Sequence, residues 1–136
     1  MAETQKILPR PTAVSEPYWE GCRHGELRLQ RCKSCGKSQF YPRILCSHCG
    51  AQDLEWHPAS GKGRIASYTV VRRGVSAAYE GPYVVALIDL AEGPRMMSQI
   101  VEVSGDEVSL EVGAEVSVSF MAWSEEFTAP VFRLVS

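Results

Sequence analysis

The sequence predicts a mainly β protein: a short N-terminal helix, a three-stranded ribbon held by metal, and a five-stranded barrel. Three observations carry this. Two Cys-x-x-Cys-Gly motifs, Cys32–Gly36 and Cys46–Gly50, leave ten residues between their cysteine pairs. Short strand-like segments flank each motif. Beyond residue 60 the chain turns to β-branched and aromatic runs punctuated by Gly and Pro.

Residues 1–14 hold Pro9 and Pro11 and little apolar content besides Ile7 and Leu8. Such a tail is extended or disordered alone and can order against a partner. Ser15-Glu-Pro-Tyr-Trp-Glu is a helix start: Ser15 can cap, Glu16 suits the positive end, and Pro17 is tolerated in the first turn. Gly21 and Gly25 limit the helix to roughly two turns ending near His24. Tyr18 and Trp19 give it an apolar face. Docking of that face on the ribbon or barrel is preferred to an exposed role for Trp19 as a partner contact. These pieces form a first unit, residues 1–25.

Residues 26–60 form the second unit. Glu26-Leu-Arg-Leu-Gln-Arg alternates with period two into Cys32, Gln39-Phe-Tyr is a second strand stopped by Pro42, and Leu54-Glu-Trp-His is a third. Strand, knuckle, strand, knuckle, strand is the order of a zinc ribbon. Cys32, Cys35, Cys46 and Cys49 supply a tetrahedral thiolate shell for one structural Zn²⁺, and the glycine after each pair suits a positive φ. An iron centre of the rubredoxin type shares the thiolate shell but has a much longer spacing between pairs. His48 is read as a solvated knuckle residue, since Cys49 has the better spacing. A ribbon this small cannot bury enough surface to fold alone, so metal supplies most of its stability.

Residues 61–136 form the third unit. Pro58-Ala-Ser-Gly-Lys-Gly is a hinge-like connection into strands at Arg64–Arg73, Tyr83–Leu90, Arg95–Val103, Glu115–Met121 and Val131–Val135. Tyr83–Leu90 is nearly all apolar, as in a strand buried on both sides. Gly105-Asp106 leaves room for a helical turn at most. Five strands favour an OB-fold, with an SH3-like barrel as the alternative. In an OB-fold the ligand loops would be Gly74–Pro82, carrying Tyr79, and Ala122–Pro130, carrying Trp123 and Phe127. Those aromatics either meet a partner or plug the barrel mouth.

Composition narrows the function classes. Residues 1–64 hold ten Lys/Arg and six Asp/Glu, and residues 65–136 hold four and ten, giving +4 and −6 against the stated −2. An acidic barrel is ill-suited to a polyphosphate backbone. No run of about eighteen apolar residues spans a membrane, and the start lacks the apolar core of a secretory signal. Four of the five cysteines stand at metal spacing, which fits a reducing cytoplasm. Cys22 beside His24 invites a nucleophile–base pair, but a structural cysteine is preferred because no oxyanion motif accompanies it. No phosphate loop, Gly-x-Ser-x-Gly or His-Glu-x-x-His is present.

Glu20-Gly-Cys-Arg-His-Gly-Glu-Leu-Arg-Leu-Gln-Arg-Cys-Lys-Ser-Cys-Gly, Phe40-Tyr-Pro-Arg, Tyr68-Thr-Val-Val and Tyr83-Val-Val-Ala-Leu-Ile-Asp-Leu-Ala-Glu-Gly-Pro-Arg resemble a known family. It is the OB-fold family with an N-terminal rubredoxin-like zinc ribbon, formerly a domain of unknown function, and the resemblance covers about residues 15–136. Tyr41 and Cys22 depart from the pattern, where proline or a small apolar residue, and an apolar residue, are usual. The resemblance implies a non-catalytic accessory subunit of an acyl-CoA-processing complex. The implied partner is a thiolase-superfamily protein, with a hydratase or aldolase possible, in a hetero-oligomer whose catalytic chain the OB-fold contacts near the acyl-CoA. For acyl-CoA contact the ribbon offers Arg43 beside Phe40 and Tyr41, plus Lys37 and Arg31, because guanidinium binds phosphate and an aromatic ring stacks on adenine. The competing reading is a solvated ribbon face with Phe40 packed inward. Rival functions are a single-stranded nucleic-acid binder and an iron-binding electron-transfer protein.

Overall fold

The computed structural model describes residues 8–74, 82–102 and 110–135. The expected helical turn at Gly105-Asp106, the end of the third barrel strand at Val103, and Tyr79 lie outside the described residues.

Helix α1 runs Glu16–Arg23 with Pro17 in its first turn. Ser15 occupies the N-cap but does not cap with its side chain. Its hydroxyl instead accepts the Thr12 N–H at 2.8 Å, and its own N–H donates to the Thr12 hydroxyl at 3.1 Å. The helix stops where Gly25 takes φ 75°.

The ribbon strands are β1 (Arg28–Cys32), β2 (Ser38–Gln39) and β3 (Leu54–Pro58), in the order β2-β1-β3. Both pairings are antiparallel, from Arg28↔Pro58 to Cys32↔Leu54 on one side and Gln30↔Gln39 on the other. Leu27 and Leu29 point into the core, as the period-two pattern requires. Gln30 breaks the expectation, because it is also buried.

The barrel comprises β4 (Lys62–Val71), β5 (Tyr83–Leu90), β6 (Arg95–Ile100), β7 (Glu115–Ala122) and β8 (Thr128–Leu134), closed in the order β4-β5-β6-β8-β7. Strand β8 lies between β6 and β7, and its pairing with β6 is parallel while the others are antiparallel. This Greek-key insertion is the OB-fold arrangement and removes the SH3-like alternative.

Two expectations are corrected here. Strand β8 begins at Thr128, three positions before the expected Val131, and runs through Pro130. It can do so because β7 pairs with it from Ala122↔Thr128 onward, while Pro130, like Phe132, faces β6. The Val101 N–H donates to the Phe132 carbonyl at 2.8 Å. At Pro130 no N–H is available, so the ladder stops and the Ser98 hydroxyl takes the Pro130 carbonyl at 2.9 Å. Strand β5, expected to be buried on both faces, buries only Val84, Ala86, Ile88 and Leu90. Tyr83, Val85, Leu87 and Asp89 on its other face are half-covered.

The connection between ribbon and barrel is also tighter than a hinge. The Ala59 N–H donates to Leu27 at 2.7 Å, the Ser60 N–H to the Glu92 carboxylate at 2.8 Å, and the Val118 N–H to Gly61 at 2.8 Å. One apolar core joins the parts: Tyr18, Cys22, Leu27 and Leu29 pack in the same cluster as Ile65, Ile88, Met96 and Phe132. Each fully buried Leu, Ile, Met or Phe among them contributes roughly 1.5–3 kcal/mol. Among the described residues no helix is long and apolar enough to cross a membrane.

Candidate metal centre and adjoining grooves

The two knuckles repeat one backbone design. In the first, the Cys32 N–H donates to the Lys37 carbonyl at 3.0 Å and the Gly36 N–H to the Cys32 carbonyl at 2.8 Å. In the second, the Cys46 N–H donates to Ala51 at 2.8 Å and the Gly50 N–H to Cys46 at 2.9 Å. Gly36 and Gly50 sit at φ 78° and 80°, which a side chain would strain. The frame aims four sulfurs at one point. All lie within 4.8 Å of one another, with Cys32 to Cys49 at 3.6 Å and Cys35 to Cys46 at 3.7 Å. A zinc tetrathiolate with Zn–S near 2.3 Å needs sulfurs about 3.8 Å apart. The set fits a metal of that size.

Cys32 and Cys46 are buried, whereas Cys35 and Cys49 face solvent. Without a cation the thiols compete for protons. The Cys49 backbone N–H, helped by that of His48, pulls the Cys46 thiol down to about 6 against its burial. At Cys49 the Ala51 N–H favours thiolate, but hydrogen bonding with Cys32 and Cys46 prevails and pushes it up to about 11. A bound cation relieves that competition by taking all four as thiolates. His48 is exposed and gives the cluster only its backbone N–H, 3.3 Å from the Cys46 sulfur.

Two buried glutamines that sequence reading passed over hold the loop carrying the second knuckle. The Gln39 amide donates to the Gln30 side-chain oxygen at 2.7 Å, and the same oxygen accepts the Arg43 N–H at 2.8 Å. The Gln30 amide donates to the Arg43 carbonyl at 2.9 Å, and the Gln39 oxygen accepts the Ser47 N–H at 2.8 Å. The only sequence signal is the pairing itself, since both residues sit on strands flanking one knuckle.

Six rings run from the ribbon across α1 to the barrel. Phe40 meets Tyr41 at 5.1 Å and Tyr18 at 5.6 Å, Tyr18 meets Trp19 at 4.7 Å, Trp19 meets Phe127 at 4.8 Å, and Phe127 meets Trp123 at 5.6 Å. Trp19, Trp123 and Phe127 therefore converge where α1 packs on β8, with Phe127 buried and Trp123 half-buried.

Along this ladder runs a groove of about 840 Å³, whose other wall includes Tyr83, Val85, Met97 and Met121 of the barrel. A second groove of about 510 Å³ brings together Lys37, Phe40, Tyr41 and Arg43 with His48 and Arg95. Phe40 and Tyr41 line both grooves. Arg31 does not join them; it pairs with Glu55 at 3.2 Å. Cys22 is buried at 1 % exposure, and burial pushes its thiol up to about 11 despite its hydrogen bond with the Tyr18 hydroxyl. His24 bonds the Glu20 carbonyl at 2.8 Å. The pair is no nucleophile–base couple.

The zinc-ribbon half matches the family description "ChsH2, rubredoxin-like zinc ribbon domain" over residues 19–55, and the barrel matches "ChsH2, C-terminal OB-fold domain" over residues 56–121. A DUF35 domain-containing scaffold protein of Methanothermobacter thermautotrophicus is 42 % identical over 98 residues, 71 % of this chain and 72 % of that protein. The chain belongs to the DUF35 family. A probable enoyl-CoA hydratase alpha subunit of Thermomonospora curvata is 35 % identical over 93 % of this chain, which spans 40 % of that relative's length. The benzoylsuccinyl-CoA thiolase subunit BbsA of Thauera aromatica is 31 % identical over 79 % of this chain and 72 % of its own. Among solved structures, an Ltp2-ChsH2(DUF35) aldolase chain superposes with a TM-score of 0.83 at 33 % identity, covering 93 % of this chain and 98 % of that one.

Proposed function

We propose that this chain is a non-catalytic accessory subunit of a cytoplasmic acyl-CoA-processing complex, paired with a thiolase-superfamily catalytic chain. The observation that carries this is its DUF35 membership together with its similarity to proteins named as a thiolase subunit, a hydratase subunit and an aldolase complex. In this reading the ribbon of residues 26–60 holds one structural zinc on Cys32, Cys35, Cys46 and Cys49. The barrel of residues 61–136 lies against the partner, with Tyr79, Trp123 and the helix residue Trp19 as contacts and the buried Phe127 packed behind them. The smaller groove takes the CoA end of the substrate, with Lys37 and Arg43 on phosphate and Phe40 or Tyr41 against the adenine.

The chemistry of the site supports an accessory role. A four-cysteine shell leaves zinc no open position for substrate, and Cys22 is a buried, protonated thiol. The nucleic-acid alternative loses ground because, among the described residues, none of those lining the larger groove is charged.

Copurification tests the reading. A tagged copy expressed in the native source should retain a thiolase-like chain in fixed stoichiometry, and omitting this subunit should depress acyl-CoA turnover. A chain that elutes without partners, and whose loss leaves turnover intact, would sink it.

A further inference from the structure

The four sulfurs of the cluster differ in access. Cys35 and Cys49 face solvent, whereas Cys32 and Cys46 are buried. Two sulfur contacts cross between the knuckles, and each joins an exposed sulfur to a buried one. Cys49 lies 3.6 Å from Cys32, and Cys35 lies 3.7 Å from Cys46. An oxidant arriving from solvent therefore meets one member of each pair, with the second sulfur directly behind it. An accessible thiolate beside a resolving cysteine is the arrangement found in redox-responsive proteins. Cys22 is the contrast: it is buried at 1 % exposure and stands outside the cluster.

We propose that the cluster is a peroxide-sensitive modification site. Cys35 and Cys49 take the oxidant, and Cys46 and Cys32 resolve it into two disulfides between the knuckles. This rests on the reading that the four sulfurs hold zinc as thiolates, the form that peroxide attacks. The exposed thiolate attacks the O–O bond, leaving a sulfenic acid on its sulfur and releasing the other oxygen as water. The buried thiolate then attacks that sulfur, the S–S bond forms, and the sulfenic oxygen leaves as a second water. Two sulfurs give up two electrons, one peroxide accepts them, and two protons from solvent complete the waters. A disulfide sulfur no longer carries the charge that binds a cation, so oxidation releases the metal.

Geometry sets which sulfurs pair. Bonding distance is about 2 Å, so side-chain movement of less than about 2 Å closes each contact. The new bonds tie the second knuckle to the first, as the metal did. The hydrogen bonds from Gln30 and Gln39 to the backbone of Arg43 and Ser47 use no sulfur and continue to hold the intervening loop. Reduction therefore returns four sulfurs that are already gathered, and the site reloads.

Peroxide titration of the full-length protein tests this, after elemental analysis has counted its zinc. A chromogenic chelator should report complete metal release at about two peroxides per chain. Four of the five thiols should be lost, with Cys22 still free. Trypsin cuts after Lys33, Lys37 and Arg43 and leaves Cys46 and Cys49 on one peptide. Disulfides between the knuckles then join three peptides, which mass spectrometry distinguishes from a Cys46–Cys49 bond inside one. Dimedone present during a brief peroxide pulse should label Cys35 and Cys49 and spare Cys32 and Cys46. Reduction followed by fresh Zn²⁺ should restore the metal content. Disulfides confined within each knuckle, or dimedone on the buried pair, overturn the assigned roles. Metal retained at a large excess of peroxide overturns the proposal and leaves the zinc reading standing. A chain that holds no zinc before oxidation overturns both.

Discussion

Cys22 and Tyr18 show how single residues acquire properties from burial. Both lie in the interior under α1, at 1 % and 5 % exposure. Burial raises the Cys22 thiol to about 11 and the Tyr18 hydroxyl well above its ordinary value. A group whose pKa is higher in the folded than the unfolded state stabilises the protein fully below its unfolded value. That stabilisation fades as pH climbs toward the folded one. The contribution of these two groups should therefore be full up to about pH 8.5 and fall between roughly 9 and 11. Denaturant midpoints measured across that range check this, and a Cys22→Ala variant should show a shallower decline. A midpoint rising through pH 9–11 would contradict the assignment. Glycine matters at the same scale: an added Cβ at Gly36 or Gly50 meets nothing within 4 Å, so positive φ alone accounts for the requirement.

At the level of elements, the loop between the knuckles has almost no regular structure, yet it must deliver Cys46 and Cys49 to the other two sulfurs. Gln30 on β1 and Gln39 on β2 do that work by bonding the backbone of Arg43 and Ser47. Replacing Gln30 by Leu keeps the volume but leaves the Arg43 N–H and carbonyl and the Gln39 amide without this partner. At about 1–3 kcal/mol for each buried unpaired group, the expected loss is at least about 2 kcal/mol in chemical denaturation. Release of the metal to a chelator should also accelerate. Unchanged release kinetics would show that the thiolate shell holds the loop unaided. Pro130 acts on an element in the opposite sense, ending the β6–β8 ladder where a donor is required.

For the whole molecule the decisive fact is the shared core. Because Tyr18, Cys22, Leu27 and Leu29 pack in one cluster with barrel residues, loss of the ribbon also uncovers one side of the barrel. Chelation of the metal should therefore abolish the near-ultraviolet signal of the Trp19–Phe127–Trp123 stack and lower the melting temperature of the barrel. Cys32→Ser should do the same and cost partner binding. A zinc-free variant that retains its melting temperature and its partner would refute this coupling. Acid should release the metal, because protons compete with it for the sulfurs.

The sequence by itself determined the elements and the metal set. Cys-x-x-Cys-Gly spacing, the period-two runs and the Gly and Pro punctuation are local signals, and each reports a local backbone requirement. The four sulfurs, the positive-φ glycines and the strands β5 and β7 were legible for that reason. Tertiary structure decided what depends on distant neighbours. It settled OB over SH3-like topology through the insertion of β8, converted the supposed hinge into a fastened joint, and buried Gln30 on a face that alternation assigns to solvent. It also gathered Trp19, Phe40, Tyr41, Trp123 and Phe127 into one wall and laid two grooves side by side along it. Those relations rest on packing between segments far apart in the chain. Local propensity carries no record of which surfaces will meet.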